Sequence, residues 1–188
     1  MKYKHIFILS AGRCGSMTFI KACNHIENYS SFHESGRLLN SHDKYNLIYP
    51  EYHIESDNRL SWFLGSIDKL YGNNALYLKL TRNKQKIINS YLKRKTLNQG
   101  ILPAFAINIF QQKKRDITKA GYEWAANHYV NTVYDNINFF LKNKNNTLEI
   151  DIDSPIESFK EFWEEIEAIG NIDNAINEFN VKYNSSKI

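Results

Sequence analysis

The feature that most constrains this chain is an apolar run, His5-Ile6-Phe7-Ile8-Leu9, that passes directly into Ser10-Ala11-Gly12-Arg13-Cys14-Gly15-Ser16-Met17-Thr18 and then into a helical pattern. The run is short and β-branched, as a buried strand requires, while Met17, Ile20, Cys23 and Ile26 recur every three residues, as on one helix face. Two glycines, Gly12 and Gly15, therefore fall between a strand end and a helix start. Such a junction presents backbone N–H groups and the positive end of a helix dipole, and Arg13 adds a planar, permanently charged guanidinium. The expected guest is an oxyanion. The loop is not the one that holds nucleoside triphosphates, because no lysine follows Gly15, and Gly-x-Gly-x-x-Gly is absent. Gly12-x-x-Gly15 by itself occurs in many turns, so its weight comes from the strand and helix around it.

A second segment repeats the arrangement. Ala75-Leu76-Tyr77-Leu78-Lys79-Leu80 reads as a strand ending in Thr81-Arg82-Asn83, and Ile87, Ile88, Tyr91 and Leu92 then follow with helical spacing. Arg82 sits at the strand's carboxyl end. Ser90, eight residues on, lies about two turns into the helix by its ~3.6-residue period, where its hydroxyl can share one small anion with Arg82. Taken alone, Ser90 is better explained as a solvated helix serine.

Together the two segments resemble the sulfotransferases that use 3′-phosphoadenosine-5′-phosphosulfate (PAPS). Arg13-Cys14-Gly15-Ser16-Met17 is similar to that family's 5′-phosphosulfate loop, in which Lys or Arg is followed by Ser, Gly, Thr and Thr. Arg82 and Ser90 resemble its 3′-phosphate motif, an Arg at a strand end with a Ser eight positions later. Thr147 to Pro155 is more weakly similar to the family's late strand, acidic turn and following helix. The resemblance implies a three-layer α/β fold of P-loop-like sulfotransferase architecture, a central parallel sheet with helices on both faces. It implies PAPS as co-substrate, no metal, and a donor site made of Gly12, Arg13, Cys14, Gly15, Ser16, Met17, Thr18, Arg82 and Ser90. Cys14, Ser16 and Met17 depart from the family's loop, and the family's Arg-Lys-Gly clamp over the nucleotide is missing. Met17 makes no hydrogen bond, so Thr18 or backbone amides have to compensate. Lys182-Tyr183-Asn184 is a candidate replacement for the clamp.

In an open parallel sheet ligands lie beyond the strands' carboxyl ends, so Arg13, Glu34 and Arg82, each ending a different strand, should converge on one crevice. Sulfuryl transfer needs in-line placement, cations on the leaving phosphate and a base for the acceptor's proton. Arg13 is the catalytic cation that neutralises the bridging and 5′-phosphate oxygens. Glu34 is the first candidate base, His33 the second, and His42 or His53 follow if a loop closes. The family places a Glu or His after the second strand, and Glu34 falls there. Two other classes use similar parts. A small-molecule kinase requires the loop lysine and a strand ending in a magnesium-binding Asp, for which only Ile150-Asp151 and Ile152-Asp153 qualify. A non-catalytic module for anions or nucleotides keeps Arg13 and Arg82 and needs no base.

The expected acceptor carries a hydroxyl or amine and is a carbohydrate, lipid, peptide or small molecule. Its 14% aromatic content supplies both a core and a surface for stacking rings. A net charge of +4, with basic residues gathered in Lys84 to Lys95 and Lys113 to Arg115, brings no recognisable nucleic-acid motif, so no nucleic-acid partner is expected. Cys14 and Cys23 fit neither a zinc site nor a disulfide framework. With no apolar run near the roughly 20 residues of a membrane span and no signal-peptide pattern, a cytoplasmic protein of bacterial, phage or soluble cytosolic type is expected.

The 188 residues show no repeat or second composition regime, which predicts one domain over 1–188. Ser31 to Glu34 is the second strand, Gly36 to Tyr52 a mobile loop over the site, and Leu60 to Leu70 a helix. Ala126, Val130, Val133, Ile137 and Leu141 trace a helical stripe whose Trp124, His128 and Tyr129 approach the substrate side. Leu148, Ile150 and Ile152 alternate as a half-buried strand. Ser154-Pro155-Ile156-Glu157 reads as a capping box, with Gly170 ending the helix it opens.

Overall fold

A computed structural model describes residues 1–35, 47–93, 100–113, 118–181 and 183. Five strands, β1 (His5–Leu9), β2 (Ser30–His33), β3 (His53–Ser56), β4 (Leu76–Thr81) and β5 (Thr147–Asp151), form one all-parallel sheet in the order β2-β3-β1-β4-β5. Parallel strands are covered on both faces and need crossovers. Among the described residues the helices are α1 (Ser16–Cys23), α2 (Leu64–Tyr71), α3 (Lys84–Leu92), α4 (Ile101–Pro103) and α5 (Lys119–Leu141), which lie between strands, and α6 (Ile156–Glu165) and α7 (Ile172–Asn177), which follow the last one. A π turn over Ala104–Ile109 continues α4, and a 3-10 turn over Asn58–Trp62 precedes α2.

From the central β1 the chain goes by α1 to the β2 edge, whereas α2 carries it from β3 past β1 to β4. Right-handed crossovers that leave in opposite directions place their helices on opposite faces. On one face Phe19 of α1 meets Phe159 and Phe162 of α6, with ring centroids 5.6 and 5.5 Å apart. On the other, Phe7 meets Tyr71 of α2 at 4.8 Å and Tyr77 meets Phe140 of α5 at 4.9 Å. The strands between are buried almost throughout β1 and β4, as a doubly covered sheet demands.

Four points of the sequence reading are corrected. β3 was not anticipated, because His53, Glu55 and Ser56 give a strand of mostly polar residues, yet all four positions are buried. The segment expected to be a mobile loop from Gly36 to Tyr52 is described only from Leu47, and that part is docked: Tyr71 Oη donates to Leu47 O at 2.7 Å and accepts from Tyr49 N at 3.0 Å. Ser154 does not cap α6. No side chain caps that helix, and Ser154 instead stands in a turn where its N–H donates to Asp151 O at 3.0 Å. Nor does Gly170 end α6, which stops at Glu165. Gly170 (φ 147°) passes so close to α1's exit that a Cβ there would lie 2.1 Å from His25 O, and only glycine allows that approach.

Candidate functional site

β1 and β4 are neighbours whose onward connections diverge, so the crevice beyond their carboxyl ends is the ligand position of such a sheet. The loop after β1 forms one wall. Gly12, Arg13 and Gly15 have φ of 74°, 57° and 83°; left-handed residues interspersed in a turn aim successive N–H groups into one concavity. The glycines are also places of close approach. A Cβ at Gly12 would lie 2.7 Å from Tyr91 Oη and 3.0 Å from Asn58 Nδ2, and one at Gly15 would lie 2.7 Å from Ile152 Cγ1.

The loop is braced from behind. Tyr91 Oη donates to Ala11 O at 2.6 Å, Ser61 Oγ to Ser10 O at 3.0 Å, and Gly12 N to Ser10 Oγ at 3.2 Å. α1 begins with no side-chain cap, and its first turn closes when Phe19 N donates to Gly15 O at 3.0 Å. The amides of Ser16, Met17 and Thr18 are the donors that such a helix start offers to an anion. Cys14 contributes backbone only: its thiol is fully buried, and desolvation pushes its pKa up.

The residues expected to hold the anion come together. Arg13 Nε donates to Ser90 Oγ at 3.0 Å, and Arg82 Nη1 donates to Arg13 O at 3.3 Å. Arg82 Nε is buried without a hydrogen-bond partner among the described residues, lying 3.6 Å from Asp153 Oδ1. That carboxylate is already committed, accepting from Lys86 Nζ at 2.9 Å and from Asn83 N at 3.0 Å. Burial raises the Asp153 pKa, but Lys86, the Asn83 amide and Arg82 outweigh it and hold the group below its ordinary value. Arg82 is thus oriented by Asp153 with donor capacity left over. Asn58 and Tyr91 are neighbours of the site that the motifs do not mark, and Asp153, marked only as a magnesium-ligand candidate of the kinase alternative, stands beside Arg82 instead. Asn58 follows the unread β3, and Tyr91 looked like core spacing.

The β2 end supplies the second wall. His33 Nε2 lies 2.9 Å from Ser16 Oγ, tying the strand to the start of α1. β2 stops at His33, and Glu34 turns left-handed (φ 52°) while its N–H donates to Ser56 O at 3.0 Å. Strand alternation therefore no longer separates His33 from Glu34, and Glu34 is exposed. Arg59 faces this end. Its hydrogen bonds to Asp57 chiefly raise its pKa, with burial opposing and the charges of Asp57 and Glu34 adding to the rise. His53, by contrast, is 2% exposed, with one ring nitrogen 2.9 Å from Ser30 Oγ and the other 2.8 Å from Glu55 Oε2. It does not look into the crevice. His42, Lys182 and Asn184 lie outside the described residues, and Tyr183 hydrogen-bonds to Glu178, which holds His25 beyond the far end of α1.

A crossover helix runs antiparallel to its strands, so the first turns of α5 lie at the same edge as the loop after β1. There Trp124, 40% exposed, meets His128 tilted at 4.2 Å and Phe110 edge-on at 5.0 Å, while Tyr129 is buried against Tyr91 at 5.7 Å. Trp62, after β3, meets Tyr129 at 6.3 Å. No group of three or more His, Cys, Asp or Glu suited to a metal occurs among the described residues, and none of their helices is long and apolar enough to cross a membrane.

Among solved structures, the chain superposes on mouse sulfotransferase SULT7A1 in complex with PAP, with a TM-score of 0.58 and 14% identity. The two share a fold. The match covers 94% of this chain and 64% of that one, so the chain spans less than two thirds of the sulfotransferase's length. No family model and no curated protein sequence matches.

Proposed function

We propose that this chain is a sulfotransferase that moves a sulfuryl group from PAPS to a hydroxyl or amine of an acceptor. The observation that carries the reading is the single cluster formed by Arg13, Arg82 and Ser90 at the mouth of the β1 and β4 strands, with Ser90 Oγ 3.0 Å from Arg13 Nε. Arg82 and Ser90 hold the donor's 3′-phosphate, the group that distinguishes it from ATP. The amides at the start of α1 and the Arg13 guanidinium hold the 5′-phosphate and neutralise the bridging oxygen as charge develops on it. In the reaction the bond between sulfur and that oxygen breaks, the acceptor's oxygen or nitrogen bonds to sulfur, and 3′-phosphoadenosine-5′-phosphate (PAP) leaves. The acceptor's proton goes to Glu34, the exposed carboxylate at the β2 end. His33 is the second choice, because its Nε2 is engaged by Ser16.

Trp62, Phe110 and Trp124 give the acceptor side a surface of partly exposed rings, which suits the face of a sugar or other ring-bearing small molecule. Cys14 and Cys23 are buried free thiols, in keeping with a cytoplasmic setting. The test is calorimetric binding of PAP against ATP and 5′-AMP, with wild type beside Arg82→Ala. Binding that requires both the 3′-phosphate and Arg82 is expected, the variant losing about 1.5–3 kcal/mol, or ~10- to 100-fold in affinity. A preference for ATP, or equal binding by Arg82→Ala, overturns the reading.

A further inference from the structure

Under the β2 edge lies a polar cluster that the donor site does not use. Glu55 is fully buried and His53 is 2% exposed, and removing a carboxylate from water costs several kcal/mol unless its oxygens are satisfied. Both oxygens are. Oε2 lies 2.8 Å from His53 Nε2, and Oε1 accepts from Ser35 N at 2.9 Å. His53 is fixed in turn, with Nδ1 2.9 Å from Ser30 Oγ and its ring stacked between Phe32 at 5.7 Å and Tyr49 at 5.4 Å. The Ser35 amide is the one immediately after Glu34, whose own N–H is tied to Ser56 O at 3.0 Å. A left-handed, non-glycine residue such as Glu34 (φ 52°) persists only where its surroundings hold it. Here the holding bonds come from β3, one of them from a buried side chain.

We infer that Glu55, clamped by His53, is a positioning residue that fixes the Glu34–Ser35 turn and so sets the direction of the Glu34 carboxylate. The inference rests on the sulfotransferase reading above, in which Glu34 takes the acceptor's proton. The chemistry asks for a hydrogen-bond acceptor at full glutamate length. In E55Q the amide oxygen accepts from Ser35 and the NH2 group donates to His53 Nε2, with His53 Nδ1–H then donating to Ser30 Oγ, so every bond has a donor and an acceptor. In E55D the charge stays but the side chain is one methylene shorter and cannot span His53 and the Ser35 amide together.

The experiment uses the whole chain and reads two quantities: release of PAP from PAPS with water as the acceptor, and hydrogen exchange of the Ser35 amide by NMR. E55D is expected to lower turnover roughly 10- to 100-fold, the cost of a displacement near 1 Å, and to speed Ser35 exchange at least ~10-fold, while PAP affinity stays within about twofold. E55Q restores most of both losses. The decisive comparison is E34Q against E34Q/E55D: if Glu55 acts through Glu34, adding E55D slows the E34Q chain no further. Equal slowing by E55D with and without Glu34, or an E55Q as slow as E55D, overturns the inference. A wild type that releases no PAP overturns the sulfotransferase reading and this role with it, whereas normal turnover in E55D overturns the positioning role alone.

Discussion

Gly15→Ala tests whether the loop after β1 is shaped by the backbone conformation and close contacts described above. An L-residue held at φ 83° costs about 1–2 kcal/mol, and a methyl group 2.7 Å from Ile152 Cγ1 must push that side chain from its rotamer, at about 0.5–1.5 kcal/mol. Restricting the unfolded chain returns about 0.4–1 kcal/mol. The net expectation is a loss of about 0.5–3 kcal/mol, or a fall in Tm of roughly 1–12 °C for a chain of this size. Urea titration followed by fluorescence of Trp62, Trp124 and Trp163 measures it, and a double-mutant cycle with Ile152→Ala separates the two contributions. The contact term should vanish in the cycle while the backbone term of about 1 kcal/mol persists. Gly15→Ala within about 0.5 kcal/mol of wild type would refute both the conformation and the contact.

Other consequences are as direct. Ser90→Ala should weaken PAP about fivefold, the worth of one hydrogen bond near 1 kcal/mol, and leave 5′-AMP binding unchanged; calorimetry with both ligands checks it. Asp153 has its folded pKa held below the ordinary 3.8, so its contribution to stability is present at neutral pH and lost as pH falls through the folded value. The stability margin of wild type over Asp153→Asn, measured in urea at pH 7 and then at steps down to pH 3, should therefore narrow with acid, and a constant margin would contradict the ion pairing. Phe159→Ala, removing a fully buried ring packed on Phe19, Phe162 and Phe179, should cost about 3–5 kcal/mol in the same titration.

The sequence displays β1, its loop, β4 and the first turn beyond because apolar strands running into glycine or arginine have few other readings. Arg13, Arg82 and Ser90 were legible for that reason, and the structure hydrogen-bonds Arg13 to each of the other two. β3 was illegible for an equally physical reason: its His53 and Glu55 satisfy each other inside the fold, Glu55 also takes the Ser35 amide, and Ser56 is buried beside them, so no apolar pattern marks the strand. Missing β3 also hid Asn58 and Arg59, which stand just past its end. The start of α5 was seen late because Lys119 and Glu123 are exposed, with the apolar stripe emerging only from Ala125 onward. Thr118, whose side chain accepts from Gly121 N at 3.2 Å, is the cap that marks the true beginning.

The strand order has a consequence for how such a chain tolerates change. Arg13 and Arg82 follow β1 and β4, each locked between two neighbours, whereas His33 and Glu34 end the four-residue β2, which is held by β3 alone. A substitution near the arginines disturbs ladders on both sides, while one at the β2 rim disturbs a single ladder. The half of the crevice proposed to grip a phosphate is therefore the half least free to drift over generations, and the rim opposite it is where new partners can be tried at the smallest structural risk.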